Sequence, residues 1–425
     1  MPKIYVEAYG CTSNQADAEI VKGLLIESGH TIISSPEESD ASVILTCIVK
    51  TPTERKIVKR LNQLKEKPLV IAGCMPKAMK QLSEATVPHA SLVGPDDIDN
   101  IVLVVEATIK GERVEQVSGD HVSRTCLPRV RGNPLVHISP ICSGCVGNCS
   151  YCIVKYARGR LYSFDSNEIV EDARAAIRGG CKEVWVTAED VAAYNYNGVQ
   201  LPQLIKQISD LDGDFKVRIG MMTPSSLKPI LKDLIKAYES PKVYKFIHVP
   251  VQAGSDRILG LMRRMYTVDD FKEMIKELRS AFPLITVSTD VICGFPGETE
   301  EEFQETVNLV KGIKPDVLNI SRFWKRPGTE AAGMDGQLHG RETKKRSRVM
   351  SEEWRGLAVD VGRRWVGWQG EILINEIGKH RGVVGRNYAY KPVVIPDRTK
   401  LGDKVVVRVI KSGVGYLVGK RVSSS

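Results

Sequence analysis

Residues Pro134 to Arg160 read PLVHISPICSGCVGNCSYCIVKYARGR. The alternating, β-branched LVHISPI predicts a strand, and the Gly- and Ser-punctuated run behind it predicts a loop. In that loop Cys145, Cys149 and Cys152 stand in a C-x3-C-x2-C pattern. So tight a spacing can wrap three thiolates around one face of an iron-sulfur cubane, leaving the fourth iron without a protein ligand and open to substrate. Zinc is the competing reading. Cys142 completes a Cys-x2-Cys with Cys145, but structural zinc is usually held by two separated pairs, or by cysteine with histidine, and no second arm follows here.

Downstream, strand patterns recur with one or two helices between them: EVWVTA, KVRIGM, KFIHVPV, TVSTDVI and VLNISRF. About six β/α units in series over residues 134–330 predict a partial or complete β/α barrel, with its chemistry at the carboxyl ends of the strands. The cysteine loop lies at the first such end. Upstream, residues 1–110 alternate at shorter spacing: KIYVEAY, an amphipathic stretch from Asn14 to Gly29, then SVILTC, LVIAG and SLVG with helices between. This predicts a doubly wound parallel sheet, helices on both faces. The helix after Cys47 carries a start signal, with Thr51 as N-cap, Pro52 next and Glu54 closing a Thr-x-x-Glu capping box.

Three further segments complete the division. Residues 111–133 mix Gly, Pro, Arg and Ser without periodicity and read as a linker. Residues 331–362 read as a basic helical connector, with a helix from about Arg341 to Val361. In 363–425 the runs GEILINEI, GVVGR, YKPVVI, KVVVRVI and GYLVGKRV predict a small five-stranded all-β barrel like an OB-fold.

A second thiol constellation is dispersed. Cys11, Cys47 and Cys74 each follow a predicted strand of the N-terminal sheet. Parallel strands in a doubly wound sheet point their carboxyl ends to one edge, where ligands bind, so the three converge there and can hold a second cubane with a vacant iron. One cysteine so placed would be an ordinary small buried hydrophobe; three equivalent placements argue for a common task. Cys126, Cys181 and Cys293 have no such relation and read as packing residues.

Composition bounds the rest. At 425 residues, 42% hydrophobic and 26% charged, the chain has the makeup of a folded protein of about three domains. No apolar run approaches the length of a membrane span, and MPKIYVEAYG lacks the features of a secretion signal. A cytoplasmic protein without membrane contact is expected. Ten cysteines there suit metal or redox chemistry rather than disulfides. The net charge of +9 lies in the tail, where residues 363–425 hold 13 basic against 4 acidic residues. With Trp365, Trp368, Tyr388 and Tyr390 interleaved, this suits phosphate contact and stacking on unpaired bases of an RNA.

C-x3-C-x2-C with Tyr151 before its last cysteine, opening a β/α barrel, resembles the signature of the radical S-adenosylmethionine superfamily. The resemblance implies a partial β/α barrel and a [4Fe-4S] cluster that chelates S-adenosylmethionine and cleaves it to a 5′-deoxyadenosyl radical. It also implies that Tyr151 packs near the adenine and that Thr187, Glu189 and Gln252 line the cofactor pocket. Further motifs are similar to those of the methylthiotransferases: Tyr9-Gly10-Cys11 with Asn14 and Asp17, Thr46-Cys47, Gly73-Cys74-Met75-Pro76, Ala157-Arg158-Gly159, Gly294-Phe295-Pro296-Gly297-Glu298-Thr299 and Arg326-Pro327-Gly328-Thr329. The tail corresponds to their RNA-binding TRAM domain. Cys47-Ile-Val-Lys-Thr-Pro52 resembles the archaeal and eukaryotic branch acting on N6-threonylcarbamoyladenosine at tRNA position 37.

What this family resemblance implies is a methylthio group placed at C2 of that base. Two [4Fe-4S] clusters would serve, one on Cys145, Cys149 and Cys152 for the radical, the other on Cys11, Cys47 and Cys74 for the sulfur. The anticodon loop of tRNA, a low-potential electron donor and a sulfur donor are the implied partners. Two rival readings stay open: a ribosomal-protein aspartate as acceptor, or a non-enzymatic iron-sulfur RNA-binding or electron-transfer protein. Glu300, Glu301 and Glu302 suit the positive end of a helix dipole and need no catalytic role. His248, on an apolar strand, reads as a pocket or core residue.

Overall fold

The computed structural model describes residues 1–378 and 382–422, so the end of the expected tail barrel at 363–425 lies outside the described residues. The first region is a six-stranded, all-parallel sheet in the order β2-β1-β3-β4-β5-β6. Its strands are β1 (Lys3–Ala8), β2 (Thr31–Ile33), β3 (Ala41–Thr46), β4 (Leu69–Gly73), β5 (Ser91–Val93) and β6 (Glu115–Gln116). Every residue of β3 and β4 is buried, because helices cover both faces of the sheet. Helix α1 (Thr12–Glu27) lays Ala18, Val21 and Leu25 on one face, and α2 (Thr51–Leu64) lays Ile57, Leu61 and Leu64 on the other. At about 1.5–3 kcal/mol for each large aliphatic side chain taken fully out of water, these two faces hold the sheet together.

Two sequence expectations change here. Residues 111–133 are not a bare linker. Glu115 and Gln116 extend the sheet as β6, and Arg124, 2% exposed, donates from Nε to Asp17 Oδ1 at 2.7 Å. The segment lacks periodicity because it is a strap held by polar contacts rather than by an apolar face. The capping box at Thr51 and Glu54 is also not formed. Helix α2 begins at Thr51 with Lys50 before it and no side-chain cap. Arg326, buried, takes both side chains instead, donating to Thr51 Oγ1 at 3.1 Å and to Glu54 Oε2. A charge-assisted contact to a guanidinium outcompetes a neutral cap, and it ties the first region to the second.

That second region contains all six expected strands, in chain order and parallel. Val136–Pro140 (β7), Glu183–Thr187 and Lys216–Ile219 form one set, and Phe246–His248, Thr286–Cys293 and Val317–Arg322 the other. The bridges Val217 to Val243 and Met221 to His248 join them. The outer strands are β7 and Val317–Arg322, which makes this a partial β/α barrel. Helix α1 also packs against it, with Ala16 on Val136 and Ile138. Apolar contacts and Asp17 on one helix therefore serve two domains.

Helix Gly340–Arg363 leads to the C-terminal closed barrel of Gln369–Ile377, Val383–Arg386, Pro392–Ile395, Lys404–Ser412 and Leu417–Arg421. Trp365 lies wholly inside its core. The Tyr390 ring docks on the second region, 4.9 Å from Tyr244 and 5.3 Å from Phe246, with the Arg218 guanidinium 5.2 Å away over it. Of the four aromatics expected to stack on RNA, Trp365 and Tyr390 are therefore structural, while Tyr388 is 38% exposed. Asp316, fully buried, accepts Arg364 at 2.6 Å and Lys391 at 2.7 Å, which fastens the two barrels. Cys181 and Cys293 are buried as expected, whereas Cys126 is exposed and left-handed, at φ 56°. No helix among the described residues is long and apolar enough to cross a membrane.

Candidate active site

The N-terminal cysteines stand at three adjacent strand ends. Cys11 precedes α1, Cys47 follows β3, and Cys74 opens the short helix Cys74–Ala78 after β4. Two buried polar side chains lash the three turns together. Asn14 Nδ2 donates to Tyr9 O and to Thr46 O, both at 2.8 Å. Thr46 Oγ1 donates to Ala72 O at 2.7 Å and accepts from Met75 N at 3.1 Å. Such chains of bonds leave each turn one conformation. Gly10, at φ 116°, lies against Cys47, and a Cβ there would stand 3.0 Å from the Cys47 sulfur. Only glycine keeps that space open.

Cys11 is exposed, while Cys47 and Cys74 are buried. Burial pushes the Cys74 thiol up to about 12, and the neighbouring thiols add to it, while the Arg158 guanidinium pulls the other way. Burial likewise raises Cys47. Thiolates in such a setting need a cationic partner. An iron-sulfur cluster supplies one, so the donor set, the crowding of three thiols and the space kept by Gly10 fit the group.

Behind β7 the second trio projects on a loop anchored by the pairing of Cys142–Ser143 with Tyr162–Ser163. All three thiols are half-buried. Gly147 N donates to Cys145 Sγ at 3.2 Å, and a Cβ on Gly147 would lie 3.3 Å from that sulfur and 3.7 Å from Cys149 Sγ. Arg264 Nη1 donates to Cys149 Sγ at 3.3 Å. Burial pushes the Cys145 thiol up to about 12. Here too the residues fit a cluster. Cys142 does not join them; it is buried in the barrel core with its sulfur 4.0 Å from Asp190 O. Among the described residues no three Cys, His, Asp or Glu side chains are placed to hold a single metal ion. With Cys142 turned into the core, a zinc knuckle of all four cysteines lacks its fourth arm.

Beside Cys152 lies a cavity of about 320 Å³. Tyr151, Cys152 and Ile153 line it from the cysteine loop, Val49 and Lys50 from just beyond Cys47, and Gln252, Asp290, Asn319 and Arg322 from the barrel strands. Tyr151 stands edge-on to Phe295 at 6.4 Å. Gln252 is held at φ 72°, its N–H donating to Asp290 O at 2.8 Å. Thr187 and Glu189 are not among the lining residues. Thr187 ends its buried strand, with its carbonyl accepting from Ile141 N at 3.0 Å. Glu189 lies 3.7 Å from Arg158, and burial raises its carboxyl even so.

The structure adds residues to which the sequence assigned no contact. His248 Nε2 and Asn319 Nδ2 both stand 2.7 Å from Asp290 Oδ1 in the cavity wall. Arg158, at the end of the helix that closes the cysteine loop, reaches Asn14 Oδ1 and Asp17 Oδ2, both at 2.8 Å. Asn14, Asp17 and Arg158 all sat in recognisable motifs, but nothing in their spacing announces that they meet.

Comparison with known proteins matches three stretches of the chain. Residues 3–94 match Uncharacterized protein family UPF0004, 139–310 the Radical SAM superfamily and 363–422 the TRAM domain. The chain is 39% identical to a probable threonylcarbamoyladenosine tRNA methylthiotransferase of Pyrococcus horikoshii, covering 100% of both chains. To one of Methanothermobacter thermautotrophicus it is 41% identical, over 92% of this chain and 93% of that one. The threonylcarbamoyladenosine tRNA methylthiotransferase of Homo sapiens is 36% identical, over 100% of this chain and 74% of its own. Among solved structures, the radical S-adenosylmethionine methyltransferase TsrM of Kitasatospora setae superposes with a TM-score of 0.58. It is 14% identical and covers 78% of this chain and 75% of that one, a likeness of fold alone.

Proposed function

Because the chain belongs to the threonylcarbamoyladenosine tRNA methylthiotransferase family, we propose that it places a methylthio group on C2 of N6-threonylcarbamoyladenosine at tRNA position 37. The observation that carries this reading is a cavity lined by Cys152 of one trio and by Val49 and Lys50 from just beyond Cys47 of the other. Cys145, Cys149 and Cys152 hold the [4Fe-4S] cluster that the radical S-adenosylmethionine fold implies, and Cys11, Cys47 and Cys74 hold a second one. When bound, these groups and S-adenosylmethionine supply a primary carbon radical and a sulfur atom, chemistry suited to an aromatic C2–H that is neither acidic nor electrophilic.

The chain's own residues supply position and shelter. Asn14 and Thr46 hold the N-terminal turns in register, and Arg264 orients Cys149. Tyr151, Phe323 and Trp324 give the cavity aromatic walls that exclude water and suit a flat base. Gln252 shares that lining, whereas a part for Thr187 and Glu189 in holding S-adenosylmethionine rests on the family resemblance, Glu189 itself lying 3.7 Å from Arg158.

The units follow as 1–110 for the second cluster, 134–330 for the radical and 331–362 as connector, with 363–425 binding the anticodon arm. A low-potential reductant and a sulfur donor serve it in the cytoplasm. Mass spectrometry of nucleosides from tRNA of cells with and without the protein tests the reading. A nucleoside heavier by one methylthio group must appear only with the protein. Its absence, or a modified ribosomal protein in its place, overturns the assignment.

A further inference from the structure

The cavity beside Cys152 has one acid and three strong cations in its lining, and two of these four are already engaged. Asp290 is held by His248 and Asn319. Arg326 is spent on Thr51 and Glu54. Lys50 and Arg322 remain, lining the cavity from opposite domains with no ion-pair partner among the described residues. Lys50 is exposed and Arg322 half-buried. The Arg322 guanidinium lies 4.5 Å from the centre of the Trp324 ring, which supports one face of the fork and leaves its edge donors free for a planar anion. Two uncommitted cations beside aromatic walls describe a site for a flat ring that carries a carboxylate.

Resting on the substrate proposed above, we infer that Lys50 and Arg322 form a clamp for the carboxylate at the end of the threonylcarbamoyl group. They make the enzyme choose adenosines that bear this anion. Arg322 gives the directional, forked contact and Lys50 a point charge from the facing domain. A base whose N6 substituent is uncharged would leave the half-buried Arg322 desolvated without a partner and Lys50 without its counter-charge, and that penalty rejects it.

The test uses the full-length protein and three anticodon stem-loop RNAs. These carry at position 37 N6-threonylcarbamoyladenosine, its neutral carboxamide analogue or plain adenosine. The wild type should prefer the carboxylate over the carboxamide by at least about tenfold, the worth of one charge-assisted contact. Arg322→Ala and Lys50→Ala should each lose most of that preference and the double variant all of it. Arg322→Lys should keep part, and the alanine variants should bind the adenosine RNA at least as tightly as the wild type, because the penalty for unpartnered cations goes with them.

An unchanged preference in the double variant overturns the clamp. So does lost S-adenosylmethionine binding, measured without RNA, alongside an intact RNA preference, since the two cations would then serve the cofactor's carboxylate. A wild type that makes the methylthio product while its variants keep the preference sinks the clamp alone. A wild type that neither prefers the modified RNA nor makes product sinks the substrate reading and the clamp with it.

Discussion

Arg158 and Asp17 meet at 2.8 Å in the interior, and their contact joins the cysteine loop of the barrel to the helix that starts at Thr12, beside Cys11. Both side chains are 2% exposed or less. Burial works to raise the Asp17 carboxyl, but the guanidiniums of Arg158 and Arg124 outweigh it and hold the group below the usual carboxylate range. The same Arg158 nitrogen also reaches Asn14, which ties together the turns leading into Cys11 and Cys47 through Tyr9 O and Thr46 O.

Removing this guanidinium should therefore be costly. Arg158→Met leaves Asp17 with one partner and Asn14 Oδ1 with only the long contact from Cys74 Sγ at 3.9 Å, a loss of about 3–5 kcal/mol for a broken buried pair. Arg158→Lys keeps the charge but not the planar reach and should recover only part of it. Denaturant midpoints of the full-length protein check this, and a loss below about 1 kcal/mol for the methionine variant would contradict it.

The two proposed cubanes would carry a fixed stoichiometry. Anaerobically purified wild type should hold about eight irons, falling towards about four in either Cys11→Ala or Cys149→Ala. Iron and sulfide analysis decides. Zinc in place of iron, or a full iron content in the Cys11 variant, would remove the second cluster from the mechanism.

RNA affinity is expected to reside in the outer charges of the C-terminal barrel. Arg408, Lys420 and Arg421 line one concave patch there. Truncating the whole barrel is a blunt test, because Asp316 would lose both Arg364 and Lys391. The double variant Arg408→Ala, Lys420→Ala leaves that joint intact. Its tRNA affinity should fall, and the slope of log affinity against log salt should flatten by roughly 0.7–0.9 for each phosphate contact removed. An unchanged slope would move the RNA surface elsewhere.

Lys245 gives a pH signature at the joint between the barrels. Its backbone N–H donates to Tyr388 O at 2.9 Å, and burial, with Lys216 adding to it, lowers its ammonium to about 8 from an ordinary 10.5. Between those two values the unfolded chain binds the extra proton, so stability rises with pH across that window. Replacing Lys245 by Met abolishes the rise. Melting temperatures of the two proteins should draw in the wild type's favour from pH 8 to 10.5, and parallel curves would refute the assignment.

Much of this architecture was legible from periodicity. The six barrel strands, the buried β3 and β4 and the five strands of the tail all lay where their patterns indicated, since burying a strand demands a particular run of side chains. The capping box at Thr51 misled because a local signal was outbid by Arg326, 275 residues away. Trp365 and Tyr390 looked like stacking platforms because an aromatic in a basic segment reads the same whether it faces solvent or core.

By itself the sequence determined the three regions, the two thiol trios and the class of chemistry, for these follow from the order and spacing of residues along one strand or loop. Tertiary structure alone decided that Cys152 and the residues just beyond Cys47 line one cavity, that Cys142 turns into the core and that Lys50 and Arg322 are left uncommitted beside that cavity. Whether a charge is engaged depends on partners brought together across hundreds of residues, and burial sets the strength of each such contact. Neither is a property of any local stretch of chain.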